Sequence, residues 1–240
     1  MNERGSGSIE ARAAAERARA PEDSERLERV ARAGAAALRR GAVVAVPTET
    51  QYALCVLASN AEAVRRCYAL KARPLTEAMP ILLPDAGWLE RVGTGISAGL
   101  RALAAAAWPG PLTLVVRRNP AWRSLAAAGE TVAVRVPDHP VARAVLAAVG
   151  EPITGSSANR HGEAPALTAD DAQATFGRAV MVLPALGLLP RGAASTILDC
   201  AGPAPRLLRV GAVEAAAVAA LVAAHLPAGS DSAPPAGGAQ

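Results

Sequence analysis

Ala42-Val43-Val44-Ala45-Val46 is an unbroken apolar run that opens directly into a polar loop, Pro47-Thr48-Glu49-Thr50-Gln51-Tyr52. A run this uniform has the character of a strand covered on both faces, because a strand with one wet face alternates. Such a strand needs a layer on each side, and the rest of the chain supplies them. Met79 to Leu83, Leu112 to Arg117, Thr131 to Val136, Pro152 to Gly155, Val180 to Leu183, Ser195 to Leu198 and Leu207 to Val210 read as further strands. Between them lie helical patterns. One starts at a Ser24 cap, shares Leu27, Val30, Ala31 and Leu38 on a face, and stops at Gly41. Ser59 with Glu62 forms the capping box of a second, and Thr168 with Asp171 caps another. Ile96 to Ala107 and Ala212 to Leu226 are Ala-rich, and Asp138-His139-Pro140 begins a helix that ends at Gly150. The alternation predicts an α/β fold of mixed α+β type, a twisted mixed sheet flanked by helices.

The core of such a fold must be Ala, Val and Leu, since the 240 residues include only three Trp, two Tyr and one Phe. That scarcity argues against stacking platforms for single-stranded nucleic acid, which need several exposed rings. A net charge of +4 allows an anionic substrate without requiring nucleic acid. Cys55, Cys67 and Cys200 form no C-x-x-C pair, so neither a disulfide framework nor a zinc site is expected. No membrane span and no signal-peptide core are evident, so a cytoplasmic protein is expected. Residues 1–22 read as a mobile arm, 23–227 as one folded unit and 228–240 as a disordered tail.

Lys71 is the single lysine of a chain otherwise rich in arginine, and it stands two residues before Arg73 in Leu70-Lys71-Ala72-Arg73-Pro74. An ammonium acts as a point charge on phosphate and a guanidinium as a planar clamp, so the two can converge on one polyanion. Two solvated charges at a helix end is the ordinary alternative. Arg135, inside Val132-Ala133-Val134-Arg135-Val136, is either on a wet face or in a crevice with a carboxylate or phosphate partner. Ser156-Ser157-Ala158-Asn159, followed by Gly162, can form a nest for phosphate oxygens. His139 reads as a helix-start residue rather than a catalyst.

Taken in order, these pieces resemble the YrdC-like family, the threonylcarbamoyl-AMP synthases. The residues that carry the resemblance are Pro47-Thr48-Glu49-Thr50 with Tyr52, Lys71-Ala72-Arg73-Pro74, Trp108-Pro109-Gly110-Pro111-Leu112-Thr113, Val134-Arg135-Val136-Pro137, Ser156-Ser157-Ala158-Asn159, Ser195-Thr196 and Leu208-Arg209-Val210-Gly211. The resemblance implies a YrdC-like twisted sheet with a concave ligand-binding cleft, in the short single-domain form. It also implies a nucleotidyltransferase that joins L-threonine, bicarbonate and ATP, with Mg2+, into threonylcarbamoyl-AMP and pyrophosphate. That is the first step of tRNA N6-threonylcarbamoyladenosine (t6A37) modification, with a separate threonylcarbamoyl-transferase complex acting downstream. By position, Lys71 and Arg73 would hold the ATP phosphates and serve as the catalytic cations, while Thr131, Gly155, Ser157, Asn159, Pro165 and Arg209 would complete the ATP site. Thr50, Arg135 and Ser195 would hold L-threonine, and no protein metal ligand is implied.

Four positions depart from the family pattern, and one of them is Cys55, which stands where a second Gly is usual. Ala53 stands where Gly is usual, which matters only if the backbone there has positive φ or closely approaches a ligand. Glu77 replaces an Asn and brings a carboxylate towards the phosphates, and Leu82 replaces a His. A non-catalytic nucleotide- or RNA-binding paralogue, with weak tRNA binding favoured by the basic charge, is the rival reading. The ordered set Lys71, Arg73, Arg135 and Arg209 favours the enzyme, since RNA binding needs charge but not this order.

Overall fold

The computed structural model of the protein describes residues 6–127 and 129–226. In chain order the elements are α1 (Ser6–Arg39), β1 (Val44–Pro47), β2 (Tyr52–Cys55), α2 (Ala61–Lys71), β3 (Ile81–Leu82), α3 (Leu89–Val92), α4 (Ala98–Ala107), β4 (Leu112–Arg117) and β5 (Thr131–Arg135). There follow α5 (Pro140–Val149), β6 (Ile153–Thr154), β7 (Ser156–Ser157), α6 (Ala169–Phe176), β8 (Met181–Val182), β9 (Thr196–Asp199), β10 (Arg206–Arg209) and α7 (Ala215–His225). The strands form two mixed sheets, a four-stranded one in the order β7-β2-β1-β8 and a six-stranded one in the order β10-β9-β4-β5-β3-β6. The mixed α/β architecture expected from the sequence is therefore present, divided between two sheets.

Strand β1 is buried on both faces, as its uniform apolar run requires. Ala45 joins Tyr52, Leu54, Val64, Cys67 and Tyr68 in one apolar cluster. Val44 and Val46 face the opposite way and join Ala53, Cys55, Leu38 of α1 and Val145 of α5 in a second. Each fully buried Val or Leu in these layers stabilises the fold by roughly 1.5–3 kcal/mol.

Two helix starts differ from expectation. Helix α1 passes through Ser24 and includes residues 6–22, the greater part of the expected arm. Ala, Arg and Glu dominate that stretch and favour helix, and α1 continues through both Pro21 and Ser24 against their preference for a helix start. Residues 1–5 of that arm and the expected tail 228–240 lie outside the described residues. Helix α2 is capped by Asn60, whose Oδ1 accepts from the Ala63 amide at 3.0 Å, while Ser59 donates to Glu151 at 2.6 Å and Glu62 pairs with Arg66. The Thr168–Asp171 capping box of α6 forms as expected.

What positions the site is an asymmetry of the six-stranded sheet. Leu112, Leu114 and Val116 of β4, Val132 and Val134 of β5 and Leu198 of β9 point into the first apolar cluster. Alternate residues point the other way, where Val115, Ala133, Ile197 and Asp199 are only half-buried. Register sets Val115 beside Ala133 on one side and Asp199 on the other. These residues make a partly open floor of three aliphatic side chains and one carboxylate, with Arg135 at one end of β5 and Thr131 at the other, about 13 Å apart at strand spacing.

Candidate active site

The floor ends at a seam between the sheets. Residues 153–157 run from β6 of one sheet into β7 of the other, and Gly155 is the link. Its amide donates to the Pro80 carbonyl at 2.8 Å, and a Cβ there would come within 2.5 Å of Leu82 Cγ. Leu82 pairs with Arg135 across β3 and β5, so the apolar side chain that presses on Gly155 is Arg135's neighbour on the same face.

Arg135 is buried, and two of its guanidinium nitrogens have side-chain partners. Nη1 donates to Glu49 Oε1, and Nη2 reaches Thr50 Oγ1 at 3.4 Å. Glu49 uses its second oxygen to accept from the Asp138 amide at 3.0 Å. Of the two readings open for Arg135, the crevice with a carboxylate partner is the one found. Burial lowers the guanidinium's proton affinity from its ordinary value, and the adjoining Glu49 carboxylate opposes that effect.

The loop after β8 crosses over this pair. The Arg191 amide donates to Glu49 O at 3.0 Å, the Gly192 amide to Thr50 O at 2.8 Å, and Gln51 Nε2 to Gly192 O at 2.8 Å. The same loop then delivers Ser195, whose Oγ accepts from Thr113 Oγ1 at 2.9 Å or donates to it. Arg209 of the edge strand β10 holds the Ser195 carbonyl through Nε at 3.1 Å and Nη2 at 2.8 Å. Desolvation lowers the proton affinity of Arg209 also. Thr50, Arg135, Ser195 and Arg209 thus border one end of the open floor.

Lys71 is buried, with Nζ donating to the carbonyls of Ser157 (2.5 Å) and Asn159 (2.8 Å). It therefore lies at the serine-rich turn and not in bulk solvent. Burial pulls its pKa from 10.5 down to about 8, with Arg73 acting in the same direction and Cys67 against it. The turn is closed from within: Ser157 Oγ lies 2.6 Å from Asn159 Oδ1, and Asn159 Nδ2 donates to the Arg160 and Glu163 carbonyls, both at 2.8 Å. Ala72 ends α2 in the left-handed region, at φ 51° and ψ 39°. That single reversal sends Lys71 inwards and Arg73 along the surface, where it bonds the Glu77 and Ala78 carbonyls and pairs with the Glu77 carboxylate at 3.4 Å. Glu77 is thus engaged with Arg73.

Pro165 is half-buried beside this turn, where the Ala166 amide donates to Ala158 O and Ala166 O accepts from the Tyr52 amide. Thr131 is exposed at the far end of the floor and lines a cavity of about 470 Å³ with Arg117, Arg118, Glu130 and Gly202. Ala53 is a regular strand residue, paired with Val46 and Ser157, and is not among the residues with positive φ. The methyl is therefore accommodated without backbone strain.

The family model for Sua5/YciO/YrdC proteins, described as "Telomere recombination", matches residues 36–211. The chain belongs to the Sua5/YciO/YrdC family. Among curated members, the threonylcarbamoyl-AMP synthase of Chromohalobacter salexigens is 44% identical over 73% of this chain and 94% of its own length. The threonylcarbamoyl-AMP synthase of Bacillus subtilis is 36% identical over 78% of this chain but 55% of its own length. The crystal structure of P. abyssi Sua5 complexed with L-threonine superposes with a TM-score of 0.75 at 30% identity, covering 80% of this chain and 57% of that one. The chain thus spans little more than half the length of the longer Sua5-type relatives.

Two residues of this candidate site are given no role by the sequence. Glu49 belongs to the Pro47-Thr48-Glu49-Thr50 motif, and the signal for its role is that an arginine inside an apolar strand calls for a nearby carboxylate. Thr113 sits in a strand whose sequence gives no sign that its hydroxyl meets Ser195; that contact is made only by the parallel pairing of β4 with β9.

Proposed function

We propose that this chain is a threonylcarbamoyl-AMP synthase, a nucleotidyltransferase acting in the first step of t6A37 formation in tRNA. The observation that carries the reading is the buried Arg135, set with Thr50, Ser195 and Arg209 at one end of an open sheet face and beside the Lys71 turn. The names of the relatives point to the same activity.

In this reading the carboxylate of L-threonine sits on Arg135, with the Thr50 and Ser195 hydroxyls completing the amino-acid seat. ATP lies along the floor towards Thr131, with Gly155, Ser157, Asn159, Pro165 and Arg209 around it and Arg73 on its phosphates. Lys71 contributes positive charge from beneath and, by gripping two carbonyls, fixes the shape of the turn. The amine of threonine first attacks the bicarbonate carbon, a C–O bond breaks and water leaves, giving the carbamate. An oxygen of that carbamate then attacks the α-phosphorus in line, the bond to the bridging β-phosphate oxygen breaks, and pyrophosphate departs. Such a displacement needs two anions held together and charge neutralised on the leaving group, which fixed cations provide without a protein nucleophile.

Among the described residues no cluster of three or more His, Cys, Asp or Glu side chains is placed to hold a metal ion. Glu49 and Glu77 are each paired with an arginine. In this reading magnesium is carried on the ATP phosphates, which suits its preference for phosphate and water oxygens. No described helix is long and apolar enough to cross a membrane, and we place the activity in the cytoplasm, upstream of a separate transferase complex. The test is pyrophosphate release from ATP, bicarbonate and magnesium. Release is expected only when L-threonine is added; release that ignores threonine would overturn the reading in favour of a protein that binds nucleotide without this chemistry.

A further inference from the structure

The partners of Glu49 are the partners an amino-acid carboxylate would need. One oxygen accepts from the Arg135 guanidinium and the other from the backbone amide of Asp138. A guanidinium beside a main-chain N–H is a common way to receive a carboxylate, and both donors here lie at the end of the open floor. Glu49 is itself nearly buried, with 12% of its side chain exposed against 6% for Arg135. A buried guanidinium without a counterion would be strongly unfavourable, so in the absence of ligand some carboxylate must occupy this place.

We infer that Glu49 is a built-in occupant of the amino-acid carboxylate seat, and that it leaves Arg135 when the substrate carboxylate arrives. The inference rests on the proposed function, since it takes Arg135 as the residue that receives the amino acid. Exchange of one carboxylate for another keeps the buried guanidinium neutralised throughout, provided the released Glu49 carboxylate turns to water. It also makes Glu49 a competitor, one that sets the concentration of amino acid needed to fill the site. A ligand without the negative carboxylate has nothing to displace it with. Because Glu49 O also accepts from the Arg191 amide, the carboxylate can turn while the loop that delivers Ser195 stays fastened to the backbone.

Calorimetric titration of the full chain with L-threonine and with L-threoninamide tests this. In Glu49→Gln the neutral amide keeps an acceptor for Asp138 but competes poorly, so the Kd for L-threonine is expected to fall by roughly tenfold, the worth of one charge-assisted hydrogen bond. Threoninamide binding is expected to stay weak in both proteins, and ATP binding to be unchanged. If Glu49→Gln binds threonine less tightly than the wild type, Glu49 positions Arg135 rather than competing for it, and the inference fails. Arg135→Ala separates the two failures. Undiminished threonine binding by that variant would remove Arg135 from the seat and overturn the site reading itself. Should the glutamine variant not fold, a crystal structure of the wild type with L-threonine decides the matter. Glu49 turned away from Arg135 supports the exchange, and Glu49 still bonded to Nη1 beside the ligand refutes it.

Discussion

Lys71 shows how far a single residue can be read from sequence. Its isolation in an arginine-rich chain marks it as chemically special, and in the structure its compact ammonium donates to both the Ser157 and Asn159 carbonyls. What the sequence could not show is that the side chain is spent largely on the protein's own backbone, because that depends on Ala72 adopting left-handed geometry. Replacing Lys71 by Met leaves two inward carbonyls without a donor and is expected to lower stability by about 2–4 kcal/mol, measured by urea unfolding. The folded pKa of about 8 lies below the ordinary 10.5, so the unfolded chain binds more protons between those values. Stability is therefore expected to rise with pH between about 8 and 10.5, as the buried ammonium gives up its proton. Function should run the other way: ATP binding is expected to weaken as the ammonium is lost above about pH 8, and the Met variant should lose that pH dependence.

At the scale of elements, α5 carries the second titratable device. His139 caps this helix, with Nδ1 accepting from the Val141 amide at 3.2 Å and Nε2 facing the Leu188 carbonyl at 2.8 Å. Both contacts are satisfied together only by the neutral ring protonated at Nε2. Burial lowers its pKa below 6.5, while the Leu188 carbonyl, Glu49 and Asp138 oppose the shift. The unfolded chain consequently takes up a proton first, and stability conferred by neutral His139 is present above 6.5 and lost as pH falls below it. Thermal melts should show a lower Tm at pH 5.5 than at pH 7.5, and His139→Asn, which keeps a cap but not the Leu188 contact, should reduce that difference. A helix start at Pro140 was legible because proline and a capping side chain act locally. The cap of α2 was misplaced by one residue because Ser59 and Asn60 are both good caps, and Glu151, distant in sequence, claims Ser59.

Across the whole molecule, the decisive feature is the seam where one strand pair passes from the six-stranded sheet to the four-stranded one. Gly155 lies there under Leu82, so Gly155→Ala forces that side chain to shift and is expected to destabilise the protein by about 1–3 kcal/mol through overpacking. Combined with Leu82→Ala, which carries its own cavity cost, the loss should be smaller than the sum of the two single effects, and strict additivity in chemical denaturation would show that the contact is not responsible. The doubly buried β1, the strand and helix alternation and the run of polar motifs were set by the sequence alone, because each depends on side-chain character within a few residues. The division into two sheets, the bare face of one of them, the meeting of Glu49 with Arg135 and of Thr113 with Ser195 were decided only by tertiary structure. Those contacts join residues 82 or more positions apart, and no local preference encodes which strand ends will face each other once the sheets have paired.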